Sequence, residues 1–205
     1  MNKTTGNLFV IAAPSGTGKT SLVKALVEST PTLSVSVSHT TRPKRPGETD
    51  GINYHFVTEK EFHQMIEHGD FLEHATIFKN LYGTSRKWVA EKLEQGIDVI
   101  LEIDWQGSQQ IKKLFPDSIS IFILPPSMEA LSERLHKRNQ DKPEIITQRL
   151  ADVRIAIQHV PEFDYVVMNE DFDHALVDLK TIVAASRLRQ KRQCQKFAGQ
   201  LKNLV

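Results

Sequence analysis

The chain has 205 residues, 40% of them hydrophobic and 25% charged, the balance of an ordinary globular protein long enough to bury a core. A net charge of +1 gives no ground for a nucleic-acid or membrane-surface partner, and the single cysteine, Cys194, excludes an internal disulfide and fits a reducing compartment. No apolar stretch reaches the length of a membrane span, and the short run from Leu8 leads into a Gly-rich turn rather than a signal-peptide cleavage site, so the expected location is the cytoplasm.

The run Leu8-Phe9-Val10-Ile11-Ala12 predicts a strand. It is followed by Ala13-Pro14-Ser15-Gly16-Thr17-Gly18-Lys19-Thr20, and then by Leu22, Val23, Leu26 and Val27 at helical spacing. Strand, Gly-rich turn and helix in that order make a phosphate cradle, because backbone N–H groups and the helix dipole converge on an anion. Lys19 is placed to reach the β- and γ-phosphates of a nucleotide, and the Thr20 hydroxyl to ligate Mg²⁺. Ala13 stands where the usual pattern has glycine, and a methyl fits there only if φ stays negative.

Further apolar, β-branched runs at 33–38, 99–103, 119–124 and 165–168 alternate with helical patterns. This predicts an α/β fold, a parallel sheet with helices on both faces, whose ligands bind beyond the carboxyl ends of the strands. The phosphate loop and Asp104 both fall at such ends. Residues 40–84 break the alternation with turn residues and short aromatic runs, and predict a small, mostly antiparallel insertion. One short helix lies within it: Thr58 and Glu61 form a capping box, Phe62, Met65 and Ile66 an apolar face, and Gly69 a stop. Residues 127–160 follow Pro125-Pro126 and carry Arg134, Arg138, Arg149 and Arg154 on two helical patterns separated by a polar turn at 139–143. They predict a helical hairpin able to fold over the phosphate site. From Asp173 a long helix is expected, with Ala175, Leu176, Leu179, Ile182 and Val183 as its apolar stripe, packed on the core or on a second copy in a homo-oligomer. Its basic end, 187–192, reads as favourable charge at a helix C-terminus with a solvated face.

The loop Thr40-Thr41-Arg42-Pro43-Lys44-Arg45-Pro46-Gly47-Glu48 sets two arginines between stiffening prolines. Guanidinium forks match phosphate oxygens bidentately, and Tyr54 can add a hydroxyl donor to the same anion. A basic surface loop with core aromatics behind it is the plainer alternative.

Together with the loop at 13–20, this stretch resembles guanylate kinase. Thr40, Thr41, Arg42, Arg45, Glu48, Gly51, Tyr54, Phe56 and Val57 fill that family's pattern without a gap. Phe71-Leu72-Glu73, Tyr82-Gly83-Thr84, Leu101-Glu102-Ile103-Asp104-Trp105-Gln106-Gly107 and Val167-Met168-Asn169-Glu170-Asp171 match in order, so the resemblance spans nearly the whole chain. It implies a single domain on a P-loop NTPase-type core (1–38, 89–126 and 161–205), a GMP-binding region (39–88) and a lid (127–160). The implied activity moves the γ-phosphoryl of ATP to GMP, with dGMP a further acceptor, using Mg²⁺, in purine nucleotide metabolism.

Residue by residue, the resemblance assigns Arg42, Arg45, Tyr54 and Tyr82 to the GMP phosphate, and Ser38, Glu73, Thr84 and Asp104 to its guanine. Ala13 to Thr20 hold ATP through Ala13, Pro14, Ser15, Gly16, Thr17, Gly18, Lys19 and Thr20, and Asn169 lies near adenine. Arg138 and Arg149 close over the transferring group with Lys19 and Arg42 as catalytic partners, Arg134 being a weaker candidate. Chemistry agrees with the base assignment. Guanine presents two adjacent donors, N1–H and the N2 amino group, which one carboxylate such as Glu73 accepts together, while Thr84 or Ser38 can donate to O6. Adenine offers a lone pair at N1, which a carboxylate repels, and sites of this kind reject such analogues by roughly 10⁴–10⁵. Glu102 stands as an alternative neighbour of Mg²⁺ that the pattern does not rank against Asp104. Lys137 and Asn139 flank Arg138 where many members have glycine, a departure that would stiffen the lid hinge.

Three other readings compete. One is another small-molecule kinase on the same core. A second is a peptide-binding scaffold on this fold, against which Gly18, Lys19 and Thr20 argue. The third is metal-dependent hydrolysis, for which His63, His68, His74 and the rest offer no helical pair with a glutamate between.

Overall fold

A computed structural model describes residues 5–77, 79–137 and 143–204, without the side chains of 137 and 143–148. Five strands form a fully parallel sheet in the order β2-β7-β1-β8-β9: β1 (Leu8–Ala12), β2 (Leu33–Val35), β7 (Asp98–Glu102), β8 (Ile119–Leu124) and β9 (Tyr165–Met168). Four shorter strands form a second sheet in the order β4-β3-β6-β5: β3 (His39–Thr40), β4 (His55–Phe56), β5 (Phe71–Ile77) and β6 (Asn80–Ser85). The sheets are linked through α3 (Arg86–Glu94), which runs from β6 into β7.

The alternation of β1 explains the layers. Phe9 and Ile11 face one side and join Leu22, Val23 and Leu26 of α1 (Lys19–Glu28) and Ala175, Leu179, Ile182 and Val183 of α7 (Phe172–Arg187). Leu8 and Val10 face the other side, with Val89 and Leu93 of α3, Ile111 of α4 (Trp105–Leu114) and Leu72 of β5. The expected apolar stripe of the last long helix is therefore spent on the core of the same chain.

The insertion contains α2 (Glu59–Glu67), and its two-sided capping box is present: Glu61 N–H donates to the Thr58 hydroxyl oxygen at 3.2 Å and Thr58 N–H to Glu61 Oε2 at 2.7 Å. Gly69, with φ 71, closes the helix. Its sheet is mostly antiparallel, as expected: β3–β6 and β5–β6 pair antiparallel, and β3–β4 pair in parallel. Gly83 on β6 leaves room for the aromatic packing of α2 against the sheet: a Cβ there would lie 2.8 Å from Phe71 Cδ1 and 3.0 Å from Phe62 Cζ.

The hairpin is built from α5 (Met128–Lys137) and α6 (Pro143–Gln158), sealed by Leu131, Leu135 and Val153. The turn expected between them at 139–142 lies outside the described residues. A 3-10 turn at Val160–Glu162 then leads to β9. Short helices α8 (Gln190–Lys196) and α9 (Ala198–Lys202) follow α7, which Asp171 caps by accepting from His174 N–H at 2.9 Å.

Three sequence expectations change. The strand expected over 33–38 ends at Val35, after which Ser36 N–H still donates to Ile100 O at 2.9 Å before the chain leaves the sheet. On β9, an edge strand, Tyr165, Val166 and Met168 are exposed and Val167 alone is buried. The basic end of α7 is solvated only in part: Arg189 and Lys191 are exposed, but Asp98, fully buried at the start of β7, accepts from Arg187 Nε at 2.7 Å, Arg192 Nη1 at 2.6 Å and Asn7 N–H at 2.7 Å. A carboxylate with three donors is compensated for its burial, and removing it strands two guanidinium groups. Asp98→Ala should lower the unfolding free energy by about 3–5 kcal/mol, read as a fall in Cm with unchanged m-value, while Lys191→Ala, whose partner Asp117 is exposed, should change it by less than about 1 kcal/mol.

Candidate functional site

The phosphate loop joins the carboxyl end of β1 to α1. Gly16 and Gly18 take φ of 90 and 89, whereas Thr32 and Lys79 are the non-glycine residues with positive φ among those described, so Ala13 meets the condition its methyl imposes. Gly18 is required twice over, since a Cβ there would also lie 2.6 Å from Asn169 Nδ2. Thr17 is buried and ties the loop internally, its hydroxyl donating to Pro14 O at 2.9 Å. Thr20, in the first turn of α1, is exposed.

Lys19 Nζ lies 3.5 Å from Ile103 O, beside the ends of β1 and β7. Burial lowers its pKa, opposed by the carboxylates of Glu102 and Asp104. Burial raises that of Glu102, opposed by Lys19. Glu102 Oε1 is buried and has no hydrogen-bond partner among the described residues.

The hairpin reaches this loop. Arg149, nearly buried, donates from Nη1 to Ser15 Oγ at 3.1 Å, and Arg134 Nη2 donates to Asn169 O at 3.2 Å. Leu131 and Leu135 of α5 would each stand 3.0 Å from a Cβ on Gly16, so α5 packs directly on the loop. Asn169 is buried and its Nδ2 donates to Thr17 O at 2.5 Å, so this amide group braces the loop from the end of β9. Arg138 lies outside the described residues.

Across the cleft, Arg42 is held on two sides. Its Nη2 donates to Glu48 Oε1 at 2.7 Å and its Nη1 to Pro43 O at 2.8 Å, while its guanidinium sits 5.3 Å from the Tyr54 ring centre. Burial works against its charge, but the Glu48 carboxylate holds its pKa above the ordinary value. Glu48, itself depressed by Arg42 and by the Arg45 N–H against the cost of burial, accepts that N–H at 2.8 Å. Tyr82 packs edge-on to Tyr54 at 5.9 Å, and burial together with Tyr82 pushes the Tyr54 hydroxyl up to about 12, so it remains a proton donor. Arg45, half-buried, makes no ion pair among the described residues.

Glu73 on β5 and Thr84 on β6 are directly paired in the sheet and almost wholly buried, at 4% and 0% exposure. The Thr84 hydroxyl donates to Glu73 Oε1 at 2.6 Å. Burial raises the Glu73 pKa to about 7, against the hydrogen bonds from Thr84 and with a contribution from Asp104. Since its proton goes to Glu73, Thr84 presents lone pairs to a ligand, and Ser38, half-buried after β2, is left as the donor of the two hydroxyls expected to serve O6. Asp104 caps α4, accepting Gly107 N–H at 2.9 Å on Oδ1 and Gln106 Nε2 at 3.2 Å on Oδ2.

Thus Lys19, Glu102 and Asp104 meet at the strand ends, Ser15 and Arg149 on one side, and Glu73 with Thr84 and the Arg42–Tyr54–Tyr82 group on the other. Two contributors carry no role in the sequence reading. Glu48 was legible only as a pattern match, although an acid three residues past Arg45 in a Pro/Gly turn is a recognisable backbone clamp. Gly107 allows α4 to approach Glu73: a Cβ would sit 2.6 Å from Glu73 Oε2.

Comparison with known proteins points to one family. A family model described as guanylate kinase matches residues 5–186. The chain is 54% identical over 205 residues to a guanylate kinase of Pseudomonas fluorescens (strain Pf0-1), covering 100% of both chains. It is 54% identical over 205 residues to one of Coxiella burnetii, covering 100% of this chain and 98% of the relative. A crystal structure of guanylate kinase from Anaplasma phagocytophilum superposes with a TM-score of 0.79 at 34% identity, covering 93% of this chain and 90% of that one.

Gly107→Ala should push Glu73 off its seat on α4. The measurable outcome is weaker GMP binding in a calorimetric titration, by about tenfold or more, with affinity for ATP retained.

Proposed function

The chain belongs to the guanylate kinase family, and on that premise we propose which of its residues carry the transfer of the γ-phosphoryl group of ATP to GMP that yields ADP and GDP. The observation that carries the assignment is the buried Glu73–Thr84 pair beside Asp104, across from the phosphate loop. Glu73, ionised, accepts guanine N1–H and the N2 amino group. Asp104 supplies a second carboxylate to the donor edge, and Ser38 donates to O6. Adenine at this position would face a carboxylate with its own lone pair.

The acceptor is itself a phosphate, so no strong base is needed, and the work is positioning and charge neutralisation. Arg42, Arg45, Tyr54 and Tyr82 hold the GMP phosphate. Glu48 fixes Arg42 in advance, so less side-chain freedom is lost on binding. The loop from Ala13 to Thr20 wraps the ATP phosphates through its N–H groups, Lys19 spans the β- and γ-positions, and Asn169 stands near the adenine. Arg149, with Arg138 assigned by resemblance, draws over the transferring group from the hairpin, and Arg134 holds the hairpin to Asn169. We assign 39–88 and 127–160 as the GMP-binding region and the lid, whose closure keeps water from accepting the phosphoryl group. A cytoplasmic setting fits this metabolite chemistry, and among the described residues no helix is long and apolar enough to cross a membrane.

Mg²⁺ fits the residues present. Thr20 offers an exposed hydroxyl at the loop mouth, and Glu102 a buried oxygen without a partner, close enough to Lys19 for each to shift the other. No cluster of three metal-ligating side chains forms among the described residues, as suits an ion that takes most of its ligands from phosphate and water. Thr20 would hold it directly and Glu102 through water, and the ion would supply positive charge that neutralises the nucleotide phosphates.

A coupled assay of GMP, AMP, UMP and dTMP with MgATP should show turnover with GMP and little with the rest. Lys19→Ala should cut kcat by about 10²–10³-fold; near wild-type turnover in that variant, or equal use of AMP, contradicts the assignment.

A further inference from the structure

Strand β5 ends the order β4-β3-β6-β5, so its outer backbone groups have no neighbouring strand. At one residue they are nonetheless paired. His74 N–H donates to Gln110 Oε1 at 3.3 Å, and Gln110 Nε2 donates to His74 O at 2.9 Å. A primary amide has the same donor and acceptor as a peptide unit, so the Gln110 side chain stands in for one residue of a missing strand. A two-point contact of this kind fixes both the height of β5 above α4 and its register along the helix.

The residue before His74 is Glu73. Successive side chains of a strand point to opposite faces; that of His74 is exposed and that of Glu73 is buried. Gln110 lies three residues beyond Gly107, whose backbone the Glu73 carboxylate approaches, and Gly107 lies three beyond Asp104. Residues three apart are neighbours on a helix surface, and each of these three meets β5: Asp104 acts on the Glu73 carboxyl, Gly107 lies against it and Gln110 bonds His74. Asp104, Gly107 and Gln110 therefore present to β5, in order, the second carboxylate, the seat of the first and the clamp on its backbone.

From this geometry we propose that Gln110 is a positioning residue for guanine recognition: its amide locks the backbone at His74 so that Glu73 meets the N1–H and N2 donors in register with Asp104. The inference rests on the assignment of Glu73 to guanine. A carboxylate on an unclamped edge strand would keep its charge but lose the alignment that lets it accept two donors at once. The effect falls on GMP and its selectivity and spares ATP.

The test compares Gln110→Met, similar in length without the amide, Gln110→Glu, which keeps an acceptor for His74 N–H, and Glu73→Gln. Steady-state kinetics are run with GMP and with IMP, which lacks the N2 amino group. Gln110→Met should raise KM for GMP about tenfold, leave KM for ATP within about twofold, and narrow the GMP-over-IMP ratio of kcat/KM. Gln110→Glu should fall between Gln110→Met and wild type. If Gln110→Met lowers Tm but leaves KM for GMP and the ratio at wild-type values, the clamp is only a structural stitch and the proposal is overturned. If Glu73→Gln narrows the ratio and Gln110→Met does not, only the role of Gln110 falls. If Glu73→Gln itself leaves the ratio intact, the guanine assignment falls first. Native-state hydrogen exchange of wild type covers the case of variants that do not fold: the His74 amide should be protected, and exchange at the rate of a free edge amide overturns the proposal.

Discussion

The carboxyl group of Glu73 is kept out of water between the second sheet and α4, and the rest of the site is arranged around that constraint. Burial favours the neutral acid, and with Asp104 beside it and Thr84 opposing, the pKa is pushed up to about 7. One hydroxyl and one helix backbone hold the group in place without neutralising it. An ionised carboxylate so placed is poorly satisfied by the protein, and a ligand edge bearing two N–H donors satisfies it. On the role proposed for Glu73, specificity follows from leaving the right group short of partners.

The phosphate end of the cleft is built on the opposite plan. Positive groups gather there, with acids beside them. Glu48 holds Arg42, and Glu102 lies beside Lys19. Arg149 reaches Ser15 from the hairpin while Leu131 and Leu135 pack on Gly16, so the same helices that carry charge also shape the loop. Two anionic nucleotides can then approach each other without paying their mutual repulsion in full.

Features written locally were legible in the amino-acid sequence. The phosphate loop needs only a strand, two glycines and a helix in succession, and the capping box of α2 needs only Thr58 and Glu61. The parallel sheet with helices on both faces followed from apolar runs alternating with helical patterns. What could not be read depends on partners far apart in the chain. Arg187 and Arg192 look like helix-end charge until Asp98, 89 and 94 positions earlier in the chain, is brought beneath them. Gln110 meets His74 across 36 residues, and nothing in the spacing of either marks the pair. Asn169 carried a family assignment, but its use as a brace on Thr17 emerges only when β9 is docked beside the loop. The exposure of β9 and the early end of β2 are likewise decided by sheet order, because an apolar run reads the same at an edge as in the centre.

In the role proposed for it, Glu73 must be ionised to receive guanine, although burial raises its pKa to about 7. Its proton is the direct observable. GMP titrated calorimetrically into the protein at pH 7, in two buffers of different ionisation enthalpy, should release about half a proton per site beyond what Glu73→Gln releases, since a group with pKa of about 7 is about half protonated there; the substitution also cancels titration of the ligand's own phosphate. Equal proton release by wild type and Glu73→Gln, with equal affinity for GMP, would contradict the account.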